Sequence, residues 1–178
     1  MSNWCVFQIG AREHYAVPRA ISAVGEQYHL YTDYWAREAS LGPKNLRQRT
    51  HPKIPDDRVT GFNRRLMAFE AISRLRRRST WEQIEARNTW FQNQATGVFL
   101  SELEQFDSPP VVFAYSYAAL GILRVAQAAG CRTLLAQIDP GPAEFRLVDK
   151  LHKRAGHPIL ERPSSAYWDS WHNECAVA

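Results

Sequence analysis

The stretch that decides the fold runs from Val111 to Pro142 and reads VVFAYSYAALGILRVAQAAGCRTLLAQIDPGP. Val111–Tyr115 is a short apolar run, typical of a buried strand, and Arg132–Ile138 is a second one. Between them lies a segment rich in alanine and leucine at helical spacing, which ends at Gly130, where a helix commonly stops. Ser116 is the predicted cap of that helix. Strand, helix and strand in this order predict a right-handed βαβ unit in a parallel sheet.

The opening of the chain has the same pattern. Trp4–Ile9 is a predicted strand, Tyr15–Val24 a predicted helix that stops at Gly25, and Tyr28–Tyr31 a second strand. The chain is therefore predicted to be an α/β protein, with a parallel sheet flanked by helices. Four strands are few for such a sheet, so we expect the chain to belong to a larger architecture or to need a partner.

The middle of the chain is less regular. An excursion at about residues 36–60 is broken by Gly42-Pro43, His51-Pro52 and Ile54-Pro55. A helix is predicted over Phe62–Leu75, and a capping box made by Thr80 and Gln83 is predicted to start the next one. Nothing in this pattern marks a domain boundary, so residues 1–178 are predicted to form a single domain.

Composition and cysteine use indicate where such a protein works. The 178 residues are 45% hydrophobic, which is enough for a folded core. Cys5, Cys131 and Cys175 form no paired motif, which fits a reducing compartment. No signal peptide is recognisable, and no apolar run approaches the roughly 18 residues of a membrane span. We therefore expect a cytoplasmic protein.

The charge of the chain is uneven. The net charge is +4, but the segment from Arg37 to Arg87 holds 13 Lys and Arg against 6 Asp and Glu. Such a segment is either a solvated, arginine-rich helix face or a surface that attracts phosphates, anionic lipid or nucleic acid. Because no nucleic-acid motif accompanies the charge, nucleic acid is the weakest of these partners.

The first predicted strand is followed by a group of chemically active residues. In parallel sheets, ligands bind at the carboxyl ends of the strands. There Gly10 allows close approach of a ligand, Arg12 can hold a phosphate or carboxylate, and Glu13 or His14 can move protons or bind sugar hydroxyls. The alternative is an exposed polar loop with an internal ion pair.

The later strands end in a second group. Tyr115 and Tyr117 can stack on a sugar ring, Ser116 can help to bind an anion, and Asp139, close to Gly141, can accept hydrogen bonds from substrate hydroxyls. The alternatives are a buried tyrosine, an ordinary serine cap and a turn aspartate bonded to its own backbone.

Several chemistries are disfavoured. The sequence contains no dinucleotide fingerprint, no P-loop and no nucleophile elbow. His152 and His157 lie five residues apart on either side of a predicted helix stop, so they do not form a helical metal-ligand pair. We expect no metal site and no bound cofactor.

At this point the residues resemble a known family. The segments QIGAREHYAVPRAI (Gln8–Ile21), LYTDYW (Leu30–Trp35), Phe113–Pro142 and YWDSWHNEC (Tyr167–Cys175) resemble the N-terminal half of bacterial family-four glycosyltransferases of the GT-B fold. The resemblance extends from Gln8 to Cys175 and is thin between Ala36 and Pro109.

This resemblance implies transfer of a sugar from a nucleotide-sugar donor to a carbohydrate or lipid-linked acceptor. In such enzymes two Rossmann-like domains face a cleft, and the N-terminal one mainly binds the acceptor. It implies that the Gly10–His14 loop faces the donor phosphates and that Tyr115, Ser116 and Asp139 line the acceptor side. The catalytic group remains open among His14, Glu13 and Asp139.

The family's donor domain, with its paired-glutamate motif, has no counterpart in this sequence. The resemblance thus implies an incomplete N-terminal half, inactive alone and completed by a C-terminal half or partner chain. Contact with the inner face of a membrane is a further expectation. The rival hypothesis is a non-enzymatic Rossmann-like module that binds a small anionic ligand or a partner chain.

Overall fold

The computed structural model describes residues 2–36, 46–76, 79–138, 141–157 and 161–178. Five parallel strands form one sheet in the order β3-β2-β1-β4-β5. The strands are β1 (Asn3–Gln8), β2 (Gln27–Thr32), β3 (Val59–Gly61), β4 (Val111–Tyr115) and β5 (Arg132–Ala136). The helices are α1 (Ala16–Ala23), α2 (Asn63–Leu75), α3 (Thr80–Glu102), α4 (Leu120–Ala128), α5 (Pro142–Arg154) and α6 (Ser165–Val177). The predicted α/β class is confirmed, and the fold is Rossmann-like.

The prediction of four strands was wrong for the described residues, because β3 adds a fifth. It is only three residues long and ends the irregular excursion, so it has no periodicity to detect. Just after β3, the side chain of Asn63 bonds to the chain that follows β2. The Asn63 amide accepts a hydrogen bond from the Trp35 backbone N–H at 2.9 Å and donates one to the Trp35 carbonyl at 2.7 Å.

The start of α4 also differs from the prediction. The helix begins at Leu120. Its N-cap residue is Ala119, whose side chain makes no hydrogen bond to the helix. The predicted cap by Ser116 was therefore wrong. Two residues earlier, Tyr117 has a φ of 81°, which no residue in a right-handed helix adopts. The Ser116 hydroxyl instead accepts a hydrogen bond from the Ile138 N–H at 3.2 Å, beyond the end of β5.

Hydrophobic cores cover both faces of the sheet. On one face, aromatic and small side chains of β1, β2 and β4 pack against α3 and α4. This core contains Cys5, Phe7, Tyr31, Phe91, Ala95, Phe99, Val112, Ala114, Ile122 and Leu123. The other face packs against α1 through Val6, Tyr15, Ile21, Tyr28, Leu30, Trp35 and Val59. Helices thus shield both faces of the parallel sheet at β1, β2 and β4, whereas β5 has no buried residue and Leu134 in it is exposed.

Candidate functional site

The strand order places a topological switch point at the carboxyl edge of the sheet, where we expect a crevice. Chain connections reverse direction between β1 and β4, since β2 lies on one side of β1 and β4 on the other. Loops that follow two such strands diverge and leave a crevice, which is where open parallel sheets bind ligands. The loop from Gly10 to His14 follows β1, and Ser116 and Tyr117 follow β4. The end of β1 and the end of β4 therefore bring the Gly10–His14 loop together with Tyr115, Ser116 and Tyr117.

The loop after β1 has an unusual backbone. Glu13, His14 and Tyr15 are consecutive residues with φ values of 49°, 51° and 59°. This left-handed region is unfavourable for residues with a Cβ, so a run of three persists only when its surroundings hold it. Tyr15 is 1% exposed, its ring lies edge-on to Trp35 at 5.1 Å, and its N–H donates to the Arg12 carbonyl at 2.8 Å. Packing thus holds the loop in one shape, with Glu13 and His14 exposed.

This shape places Arg12 against the residues that end β4. The Arg12 guanidinium lies 5.9 Å from the ring centroid of Tyr115 and 5.8 Å from that of Tyr117. Both distances are within the range of a cation–π interaction. The Tyr115 hydroxyl donates to the Glu13 carboxylate at 3.2 Å. Burial, reinforced by Glu13, raises the pKa of Tyr115 to about 12 although Arg12 opposes the shift.

A buried carboxylate that the sequence analysis did not single out anchors the loop. Asp33 directly follows β2, is fully buried, and accepts a hydrogen bond from the Gly10 N–H at 2.8 Å. Arg49 binds the same carboxylate at 2.8 Å, and Arg87 of α3 makes a second ion pair with it. Asp33 is therefore a structural acid rather than a free ligand. In the sequence, the signal for Asp33 was its position just after a predicted strand.

The N-terminus of α4 also faces the crevice, and a carboxylate already occupies it. Glu174 of α6 is fully buried and accepts hydrogen bonds from the backbone N–H groups of Tyr117, Ala119 and Leu120. Burial raises the pKa of Glu174, and the three N–H donors only partly offset the shift. A helix N-terminus attracts anions. An internal carboxylate fills this one, and among the ion pairs of the described residues none involves Arg12.

The remaining predicted residues have different surroundings. Ser116 is 2% exposed and already bonded at its hydroxyl, so its part in binding stays a prediction. Asp139 lies outside the described residues. Gly141 is described, with a φ of 81°, and lies beside the Trp171 ring of α6. The roles of Glu13 and His14 as catalytic candidates stay predictions, although both lie at the crevice.

The cysteines and histidines, whose side chains could bind metals or undergo redox reactions, lie away from the crevice. Cys5 and Cys131 are buried, and burial raises the pKa of both thiols, that of Cys5 to about 12. Both cysteines belong to the core that packs against α3 and α4. The rings of His152 and His157 are 5.6 Å apart, between their centroids. Within the ranges that the structure describes, no three His, Cys, Asp or Glu side chains are grouped as metal ligands.

Comparisons with protein-family models, with curated proteins and with solved structures found no match to this chain. The likeness to family-four glycosyltransferases therefore depends on the sequence segments quoted above. In the described part of the chain, no helix has the length and apolar character needed to cross a membrane.

Proposed function

We propose that this chain is the acceptor-side half of a two-domain glycosyltransferase and that the crevice between β1 and β4 binds a phosphorylated sugar compound. The observation that carries the proposal is the arrangement of Arg12 beside the rings of Tyr115 and Tyr117. A guanidinium binds phosphate oxygens bidentately, and aromatic rings bind the apolar faces of sugars. The rigid loop supports it, because a preorganised site loses less entropy when a ligand binds.

In this proposal each residue of the crevice has a distinct task. Arg12 binds the diphosphate of the donor and offsets the negative charge that develops on it as the sugar leaves. Glu13, bonded to the Tyr115 hydroxyl, would hold a sugar hydroxyl, and to the exposed His14 we assign the task of accepting a proton from the acceptor. A donor-binding half, in a second domain or a partner chain, would close the crevice. The chain alone is therefore expected to bind donors weakly.

The exposed arginines of α2 suit an anionic acceptor. Arg64, Arg65 and Arg74 on this helix and Arg76 at its C-cap are all exposed, so they can attract a lipid-linked acceptor in a negatively charged membrane. Sedimentation with vesicles tests this part of the proposal. We expect the protein to bind phosphatidylglycerol vesicles and not phosphatidylcholine vesicles, and equal binding to both would contradict it.

A second candidate function is a non-enzymatic module that binds a small anion. The observation that favours it is the sheet itself, because five strands with cores on both faces form a more complete unit than the sequence predicts. In this case Arg12 would bind the anion, and no second domain would be needed.

Titration calorimetry distinguishes the two functions. The chain is titrated with a panel of nucleotide-sugars, with free nucleoside diphosphates and with inorganic phosphate, and donor hydrolysis is followed in parallel. We expect a nucleotide-sugar to bind, and Arg12→Gln to weaken its binding roughly ten- to hundredfold through loss of charge-assisted hydrogen bonds. Arg124→Gln, an exposed arginine on α4, is the matched control and should bind as the wild type does.

Three results would contradict the glycosyltransferase proposal. These are no binding of any nucleotide-sugar, an equal loss in Arg12→Gln and Arg124→Gln, and binding of phosphate as tight as that of nucleotide-sugars. If phosphate binds that tightly and this binding is lost in Arg12→Gln but not in Arg124→Gln, the anion-binding module is supported.

A further inference from the structure

We infer that Glu174 of α6 is a positioning residue of the crevice. Its carboxylate acts as a built-in anion at the N-terminus of α4 and holds Tyr117 in the backbone conformation that places its ring beside Arg12. What this role means for ligand binding rests on the proposed function. The hold of Glu174 on the Tyr117 backbone rests only on the hydrogen bonds described below.

The two oxygens of the Glu174 carboxylate have different partners. Oε1 accepts hydrogen bonds from the N–H groups of Ala119 and Leu120 at 2.8 and 3.2 Å, which lie at the first turn of α4. Oε2 accepts from the N–H of Tyr117 at 2.9 Å. The cap residue of α4 makes no side-chain bond of its own, so Glu174 supplies the acceptor that a serine or aspartate cap ordinarily provides.

Tyr117 needs such support because its φ of 81° is rare for a residue with a side chain. The ring of Tyr117 lies 5.8 Å from the Arg12 guanidinium and 5.8 Å from the ring of Tyr167, which is also on α6. α6 thus holds Tyr117 at both its backbone and its ring. If the backbone bond were lost, Tyr117 could relax to negative φ and its ring would turn away from Arg12.

The same carboxylate restricts which ligands fit. A phosphate cannot occupy the N-terminus of α4, because Glu174 fills it and would repel a second anion. The β1 side of the crevice carries the Arg12 guanidinium beside the exposed Glu13, while the β4 side carries the tyrosine rings, with the Glu174 carboxylate buried behind the Tyr117 backbone. The structure therefore favours a ligand with its phosphates at the Arg12 end and a neutral, hydroxylated group at the β4 end.

Glu174→Gln separates the two halves of this arrangement, because glutamine has only one acceptor oxygen. That oxygen best serves the two N–H groups of Ala119 and Leu120, which leaves the glutamine NH₂ facing the N–H of Tyr117. In amide NMR spectra we expect Tyr117 to shift and to exchange with solvent about tenfold faster, whereas Ala119 and Leu120 change little. The matched control is Asp169→Asn, an exposed acid on the same helix, which should leave all three amides unchanged.

Rescue by a small anion tests the built-in anion directly. In Glu174→Ala, added formate can occupy the vacated position and restore the Tyr117 amide signal and the melting temperature, with saturation, where the same concentration of chloride does not. The wild type and Asp169→Ala should show no such response. If Glu174→Ala does not fold, the Glu174→Gln spectra decide the question without it.

An unchanged Tyr117 amide in Glu174→Gln would overturn the inference, and so would a folded Glu174→Ala that responds equally to formate and chloride. Neither readout needs a sugar ligand, so failure of the proposed function is recognised separately. Where a nucleotide-sugar binds, Glu174→Gln should weaken its binding about tenfold, and an unchanged affinity would contradict the role of Glu174 at the crevice.

Discussion

The carboxylate of Asp33 and the backbone N–H of Gly10 form a hydrogen bond of 2.8 Å that joins the end of β2 to the loop after β1. Asp33 is fully buried, and Arg49 and Arg87 neutralise it from two other parts of the chain. Because Arg12 follows Gly10 by two residues, this hydrogen bond fixes the position at which the loop that carries Arg12 begins. The shape of the crevice is thus tied to a charge network outside it.

Asp33→Asn should destabilise the protein strongly. The two arginines would lose their buried counter-charge, and removal of one partner from a buried ion pair typically costs about 3–5 kcal/mol. Urea unfolding measures this loss, and hydrogen exchange should show a less protected Gly10 amide. The control is Glu70→Gln, because Glu70 meets Arg87 at 3.5 Å with both side chains partly exposed. That change should cost less than about 1 kcal/mol, and equal losses in the two variants would refute the role of Asp33.

Gly141→Ala should be more destabilising than Gly156→Ala. Both glycines have positive φ, 81° and 70°, so alanine is strained at either position, and Gly141, with a ψ of −160°, lies in a region that essentially only glycine adopts. At Gly141 an added Cβ would also lie 2.5 Å from Cζ2 and 2.8 Å from Cε2 of Trp171, whereas at Gly156 nothing lies within 4 Å. Overpacking of this kind adds about 1–3 kcal/mol. Thermal unfolding of the two variants measures the difference, and similar losses would show that α6 does not pack on Gly141 in solution.

Ser79→Ala should weaken α3, whereas Thr80→Ala should not. The Ser79 hydroxyl accepts from the Glu82 N–H at 3.3 Å, and the Glu82 carboxylate accepts from the Ser79 N–H at 2.8 Å. Loss of such a cap costs about 0.5–2 kcal/mol. Chemical unfolding compares the two variants. A larger loss for Thr80→Ala would mean that the capping box lies one residue later, where the sequence pattern predicts it.

His29 should make the protein less stable as the pH falls below about 6.5. Burial lowers the pKa of His29, more than Glu102 and Asp57 raise it, and its Nε2 lies 2.8 Å from the Thr60 hydroxyl. The unfolded chain therefore takes up this proton at a higher pH than the folded chain does. Stability should fall by up to about 1.4 kcal/mol per pH unit between the ordinary pKa and the lowered one.

Urea unfolding of the wild type and His29→Gln between pH 7.5 and 5 checks this prediction. The variant should lose less stability than the wild type over that range, since it lacks the group that titrates. Parallel pH profiles for the two proteins would show that the pKa of His29 is not lowered on folding.

Local patterns were enough for most of the sheet and for the position of the crevice. β4 was predicted with its observed ends, because a short apolar run after two prolines has few alternatives, and α1 was predicted within one residue at each end. Strands alternating with helices imply a parallel sheet, and a parallel sheet places the ends of β1 and β4 at one edge. Arg12, Glu13 and Tyr115 could therefore be grouped from the sequence alone.

The capping residues show where local patterns stop being sufficient. Ser79 and Thr80 each precede an acceptable partner by three residues, so the sequence admits two capping boxes, and the extended backbone of Ser79 decides between them. Ser116 is a residue type that commonly caps helices, yet its hydroxyl bonds to the chain beyond β5 instead of to α4. Three residues of β3 form a strand only because β2 lies beside them.

The sequence by itself determined the class of fold, the order of all its predicted elements apart from the missed β3, and the edge at which polar loops gather, since these follow from periodicity and from the rules of chain connection. Only the tertiary structure decided which charges those loops leave available. Asp33 is neutralised by arginines 16 and 54 residues away, and α4 is capped by a glutamate 54 to 57 residues away. A buried N–H or carboxylate must find a partner, but any residue that packing brings within 3 Å can serve, and distance along the chain does not reveal which one it is.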